Sequence, residues 1–269
     1  VYRDQQFSSE MQNSDVVRIE DVVLLKNKQF REDTGPLRHP VRPKKYLEIN
    51  NFYTATVYEK GAEIIRMLYS IVGEKDYKKA VNLYFDRHDG EASTIEHWIK
   101  TFEDCTGRDL KQFSLWYEQS GTPTIVSEET FRSGTYMLRL TQNIPIQDDN
   151  IEAKPMVVPI KVCFIDKKGK RLTEDNLIIL TKKTQNFMFS GFENKPIPVM
   201  LGGFSAPIIL KQDRTLNDLL TIIKSESNAF CVWEATQKLF LELLECLIKR
   251  VALTVELEPV LTNLIERYQ

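Results

Sequence analysis

From about Asn51 to Gly121 the apolar residues of this chain recur at helical spacing. Beyond it they fall into short β-branched runs, and after Lys211 the helical spacing returns. A helix buries a stripe with a 3.6-residue period and a strand buries alternate residues, so a segment patterned for one cannot bury its apolar face as the other. The chain is therefore multidomain, α and β: a helical part over 1–121, a β part over 122–211 and the beginning of a second helical part over 212–269. The runs "TPTIVSEETF" (122–131), "TYMLRLTQ" (135–142), "MVVPIKVCFID" (156–166), "NLIILTKK" (176–183), "NFMFS" (186–190), "IPVMLGGF" (197–204) and "SAPIILK" (205–211) are separated by turn residues such as "DKKGKR" (166–171). About seven short strands at this spacing predict a β-sandwich.

Within the first part, "NNFYTATVYEKGAEIIRML" (50–68) predicts a helix with Asn51 as its N-cap. Ala62, Ile65, Leu68 and Ile71 recur at three-residue steps, Ile64 and Val72 flank them, and Gly73 closes the helix. Gly61 falls inside this pattern at a cost of about 1 kcal/mol relative to alanine; close approach of another backbone and tolerated drift are both readings of it. Further helices are predicted over 74–88, over 93–107 and over 109–121. The one at 93–107 is capped by Ser93 or Thr94, with Glu96 completing a capping box. Residues 1–49 read as irregular, and Pro36, Pro40 and Pro43 forbid a continuous helix there. They are either a long ordered loop at a functional rim or a connector. In the third part, helices are predicted over 215–226, 228–253 and 257–269.

The 269 residues carry a formal net charge of -2, so no broad basic field points to nucleic acid. No apolar run approaches the ~18 residues of a membrane span, and the N-terminus has no signal-peptide core. Val1 in place of a methionine reads as an internal cut, so the chain is expected to be a piece of something longer. Four cysteines lie far apart without CxxC pairing, as small buried thiols in a reducing compartment, the cytoplasm, would. Of the three histidines, His39, His88 and His97, none begins an HExxH pair. His88 and Glu91 are near each other at a helix end and read as surface or capping groups; His97 reads as partly buried and structural. No GxSxG or P-loop occurs, and "LGGFSAP" (201–207) precedes a strand, which makes it a turn. Tyr53 and Tyr58 stand at the entrance of the predicted helix. Their pattern alone is that of amphipathic side chains packing at a domain edge.

Several blocks taken together say more. "VYRDQQFSS" (1–9), "HPVRPKKYLEINNFYTATVYEKGAEIIRML" (39–68), "LYFDRHDGEAST" (83–94), "WYEQSGTP" (116–123) and "GFSAPIIL" (203–210) resemble, in this order and across nearly the whole chain, the bacterial aminopeptidase N family of gluzincin zinc metallopeptidases. The resemblance implies that 1–121 is the helical second half of a thermolysin-like catalytic domain, followed by the β-sandwich and the start of a C-terminal helical domain. In that family the zinc ligands are the two histidines of HExxH and a glutamate just before the segment matching "VYRDQQFS". Zinc is thus expected in the intact enzyme and not on this segment, which is expected to be inactive alone. Tyr58 matches the family's catalytic tyrosine: as water attacks a peptide carbonyl, a neutral phenol donates a hydrogen bond to the developing oxyanion. Tyr53 matches a tyrosine lining the pocket for the substrate's first side chain. The implied partners are peptide substrates and the remaining aminopeptidase domains, without nucleic acid or membrane. The acidic groups that hold a free amino terminus lie in a GxMEN motif that this chain does not contain, and Glu59 and Glu63 receive no role. The competing class is a non-catalytic interaction module, a β-sandwich between helical units.

Overall fold

The computed structural model describes residues 1–146 and 152–249. Its first surprise is at the N-terminus: residues that read as irregular are helical. α1 spans Tyr2–Met11 and α2 Ser14–Leu24; a π turn at Leu25–Gln29 leads into α3, Phe30–Thr34. α2 is capped by the Asn13 side chain, which accepts from the amides of Asp15 and Val16 at 3.0 and 3.2 Å. The apolar stripe is thin, with Val17, Val22 and Leu25 facing inward, and the π turn shifts it out of phase. From the end of that turn on, the buried positions are the polar Gln29 and Asp33, so no hydrophobic period marks the helix.

The proline-containing loop follows, pinned by the buried Val41 and by Arg42, which pairs with Glu96 and Glu118. A 3-10 turn occupies Ile49–Phe52, a second π turn Thr56–Lys60, and α4 runs over Gly61–Val72. Asn51 is therefore not the N-cap of the long helix. Its side chain accepts from Leu47 and Glu48 at 3.0 and 3.2 Å and closes the 3-10 turn instead. α4 buries Ala62, Ile64, Met67, Leu68 and Val72, with Ile65 and Ile71 at the edge.

α5 (Glu74–His88) and α6 (Ile95–Thr106) form an antiparallel pair. The capping box of α6 joins Thr94 to His97, not Ser93 to Glu96, and Gly107, at φ 70°, ends the helix in the left-handed region. The predicted helix over 109–121 shrinks to a single turn, α7, at Leu115–Glu118. Side chains draw this segment against the sandwich instead of letting it wind on. Gln112 donates to the carbonyls of Pro155 and Thr181, Trp116 Nε1 to Val157 at 2.7 Å and Gln119 to Lys154 at 2.9 Å.

All seven predicted strands are present: β1 Thr124–Arg132, β2 Thr135–Asn143, β3 Val158–Ile165, β4 Asn176–Leu180, β5 Thr184–Ser190, β6 Ile197–Met200 and β7 Ile209–Gln212. One sheet has the order β5-β2-β1-β7 and the other β4-β3-β6. Every pair is antiparallel except β1 with β7, which starts at Thr124↔Ile209. Ser133 and Gly134, at φ 47° and 74°, turn β1 into β2, the left-handed geometry a two-residue hairpin needs. Between the sheets, Phe164 contacts the rings of Tyr136, Phe192 and Phe189 at 5.2, 5.0 and 4.7 Å.

α8 (Leu216–Ser225) starts at the Thr215–Asp218 capping box, and α9 spans Ala229–Lys249. The predicted continuation to 253 and the helix over 257–269 lie outside the described residues. α9 meets the first part of the chain through Lys26, which pairs with Glu234 at 2.7 Å and lies over the rings of Phe204, Phe230 and Trp233. No helix among the described residues is long and apolar enough to cross a membrane. The four cysteines are free; Cys163 and Cys231 are buried, whereas Cys105 and Cys246 are only half-buried, on helices that leave one side open.

Candidate active site

Tyr58 is the middle residue of the π turn Thr56–Lys60, and Tyr53 lies in the bend just before it. Their rings stack with centroids 6.0 Å apart and planes 25° from parallel. Both are open to solvent, Tyr53 at 69% and Tyr58 at 42%, which is unusual for large rings with a neighbouring core available. They line an open concavity of about 420 Å³ together with Tyr2, Ile49, Phe52 and Gly61. A π turn widens the helix by one residue per turn, and such bulges recur where a side chain must be presented. Gly61 sits at the edge of the concavity, at φ -56°. A Cβ there would meet only Val41 Cγ1 at 3.7 Å, so no neighbouring backbone requires the glycine.

What lies beneath the two rings is charged. Glu32 Oε2 accepts from both the amide and the hydroxyl of Thr56 at 2.7 Å, and Gln29 Nε2 donates to the same hydroxyl at 3.3 Å. At the other end of the turn, Lys60 Nζ donates to Asp33 Oδ2 at 2.8 Å and to the Gly121 carbonyl at 2.9 Å. Asp33 also accepts from the Thr122 hydroxyl at 2.9 Å and the Gly121 amide at 3.3 Å. Lys60 and Asp33 are fully enclosed. Burial pushes the Lys60 ammonium below the usual lysine range, with the Asp33 carboxylate opposing that drop only in part.

One turn on, Glu63 is buried and bidentate with Arg18 at 2.6 and 2.7 Å, and Arg18 donates onward to the carbonyls of Gly203 and Phe204. Burial raises the Glu63 carboxyl. The Arg18 guanidinium, then Arg66, outweigh burial and hold it below the ordinary carboxylate range. Glu59, half-buried beside Tyr58, is raised by burial and next by the charge of Asp21.

Sequence reasoning singled out the two rings, which the fold stacks against each other, but not the groups that hold the turn carrying Tyr58. The available signal was Lys60 and Glu63, charged residues in the buried phase of an otherwise apolar helix. Their partners come from residues that carried no readable period. The turn 201–204, read as only a turn, adopts positive φ at Leu201, Gly203 and Phe204 and offers its carbonyls to Arg18.

The histidines gather elsewhere. His88 Nδ1 lies 3.4 Å from Glu91, and the His88 and His97 rings stack at 4.6 Å on the α5–α6 pair. His97 is exposed, not partly buried, because its position in the first turn of α6 faces outward. His39 Nδ1 is 2.9 Å from the Pro40 carbonyl. Among the described residues no group of three or more histidine, cysteine, aspartate and glutamate side chains could hold a metal ion, so the residues present do not fit a zinc centre.

Comparison with known proteins agrees with this layout. Residues 1–117 match the peptidase family M1 domain, and residues 121–213 match a domain of unknown function (DUF3458) with an Ig-like fold. Similar curated proteins include aminopeptidase N of Haemophilus influenzae (41% identical, over 89% of this chain and 29% of that protein). Another is aminopeptidase N of Caulobacter vibrioides (42% identical, over 91% of this chain and 28% of that protein). The chain thus spans under a third of the length of these relatives. A crystal structure of Legionella pneumophila aminopeptidase A in complex with aspartic acid superposes with a TM-score of 0.81 at 25% identity, covering 95% of this chain and 28% of that one. The match to the M1 domain lies over residues 1–117, the Ig-like domain follows it, and relatives of one kind align with most of the chain, so it is the first part of the chain, residues 1–117, that belongs with the peptidase family M1 domain.

Proposed function

We propose that this chain supplies the tyrosine side of the active site in a zinc-dependent aminopeptidase that removes N-terminal residues from peptides. The observation that carries the reading is the exposed, stacked Tyr53–Tyr58 pair on a π turn at the rim of an open concavity. Tyr58 donates its phenolic hydrogen to the substrate carbonyl oxygen as negative charge develops on it. A preorganised donor aimed at that charge is worth more in the transition state than in the ground state. Tyr53 lines the space for the substrate's first side chain, with Ile49 and Phe52 extending its apolar wall. The sequence has no HExxH pair, and among the described residues no donor set suits the zinc typical of this family, so in this reading the segment alone neither binds catalytic zinc nor turns over.

The division at 121 and 211 gives each of the three parts one job in this reading. The first presents the phenols, the sandwich braces them, and the last begins a further helical domain. Exposed Leu37 and Leu47 support a surface that the remaining domains cover. Four free cysteines support a reducing compartment, the cytoplasm.

The test is Tyr58→Phe in the full-length enzyme with an aminoacyl arylamide. The expected loss is about 10²–10³-fold in kcat with KM little changed, the usual effect of one oxyanion donor. An undiminished rate would end the proposal. Tyr53→Ala is expected to act instead on KM and on the preference among first side chains.

A further inference from the structure

The exposed phenol of Tyr58 does not reach back to any of the groups beneath it. Yet the five-residue turn that carries it is held at both ends by consecutive acidic residues of one short helix. Glu32 takes the first residue of the turn: one oxygen receives both the Thr56 amide and the Thr56 hydroxyl at 2.7 Å. Asp33 takes the last, receiving Lys60 Nζ at 2.8 Å. Tyr58 lies between them, its amide bonded to the Thr54 carbonyl at 3.1 Å. The opening amides of any helix lack intrahelical partners. Here a carboxylate from a distant helix supplies one, and the charge also suits the positive end of the turn. Asp33 is anchored in turn, and the Thr56 hydroxyl has a second partner. Gln29 reaches the Thr56 hydroxyl from the neighbouring π turn, and Asp33 is bound by Gly121 and Thr122 where the chain enters the sandwich.

We propose that Glu32 and Asp33 are positioning residues: a two-point clamp on Thr56 and Lys60 that fixes the Tyr58 hydroxyl against the substrate carbonyl. This rests on the role proposed above for Tyr58 and extends it to residues that never touch substrate. The geometry also says which point is the finer control. The Asp33–Lys60 pair is enclosed and shared with the sandwich, so breaking it disturbs folding. The Glu32–Thr56 contact is partly open and acts on the turn alone, so altering it shifts the phenol while the protein stays folded. A donor displaced by about 1 Å loses on the order of 10²-fold in rate.

The experiment is a double-mutant cycle in the full-length enzyme with an aminoacyl arylamide, thermal unfolding being recorded for each variant. Glu32→Gln and Thr56→Val are each expected to lower kcat about 10-fold or more with KM within about twofold, the split expected of an interaction that acts only in the transition state. Thr56→Ser, which keeps the hydroxyl, restores the rate. In the Tyr58→Phe background, Glu32→Gln is expected to lower kcat by less than about twofold, since the group it positions has gone. If Glu32→Gln and Thr56→Val leave kcat unchanged while Tyr58→Phe is impaired, the clamp is refuted and the role of Tyr58 stands. The clamp is refuted equally if Glu32→Gln costs as much with Tyr58→Phe as without it. If Tyr58→Phe itself is unimpaired, the underlying functional reading fails instead.

Discussion

The sandwich core and the ground beneath Tyr58 are both buried, and they are held by opposite means. Between the sheets, Phe164 meets Tyr136, Phe189 and Phe192 ring against ring, with Leu138, Leu140, Ile160 and Val162 around them. That attraction is undirected and spread over many atoms, so the region tolerates changes of shape that conserve volume. Beneath Tyr58 the buried contacts are Asp33 with Lys60, Glu63 with Arg18, and Glu32 with Thr56. Each acts along a line between two atoms, and each would be costly to leave half made. The apolar region holds the chain together, and the ionic one, in the clamp proposed above, holds a single ring still.

The contrast can be broken most forcefully at Lys60. Lys60→Met leaves the Asp33 carboxylate enclosed without its cation, and loss of one partner from a buried pair costs about 3–5 kcal/mol. Phe164→Ala, at the centre of the sandwich, is expected to cost about 3–5 kcal/mol as well. The two should part in activity: urea titration and initial rates on the folded fraction are expected to show kcat retained in Phe164→Ala and reduced in Lys60→Met. Equal kcat in both would erase the distinction.

Next in size is Arg18→Met, which leaves Glu63 only the longer contact to Arg66 at 3.6 Å and is expected to lose about 3 kcal/mol at neutral pH. Acid sharpens the same point. Because the folded Glu63 carboxyl is held below its ordinary value near 4.3, its contribution is complete above that pH and is lost as pH falls through the lower, folded value. Unfolding free energies measured from pH 7 downward should fall less steeply below about pH 4.3 in Arg18→Met than in the parent. Parallel curves would mean that Glu63 is not the titrating group. The smallest effect is expected at Gly61→Ala. Its Cβ has room beside Val41, and a helix gains about 0.5–1 kcal/mol from the replacement, visible as a modest rise in Tm. A fall in Tm would show that the glycine is required after all.

The same contrast decided what the sequence could reveal. β3 reads as a strand because "VPIKVCFI" is β-branched and apolar on both faces, and the other six show as short runs bounded by turn residues. α5 and α8 are equally legible, from apolar residues at helical spacing. α2 and α3 are not, since a π turn breaks their phase and Gln29 and Asp33 occupy buried positions where apolar residues would have marked the stripe. The start of the helix carrying Tyr58 was misplaced for a related reason: Glu32, far off in the chain, caps it, and no local spacing records that. Tyr53 and Tyr58 stand out only through family likeness, whereas composition and period leave them as ordinary edge residues. Directed polar contacts between distant segments exist only after the chain has closed on itself, which is why the supports of the site stayed hidden while its rings did not.

One consequence follows from the parallel pairing of β1 with β7. Thr124 and Ile209 meet across roughly eighty residues of intervening chain, and tying so long a segment is entropically the most demanding step in this sheet. The hairpin β1–β2 can zip locally long before that, so β7 is expected to join late, bringing the Arg18-bound turn at 203–204 and then α9 into place behind it. During synthesis, the ribosome would have to release β7 before the brace under the phenol could set; folding-rate φ-values near zero at Ile209 and Leu210 would record that delay.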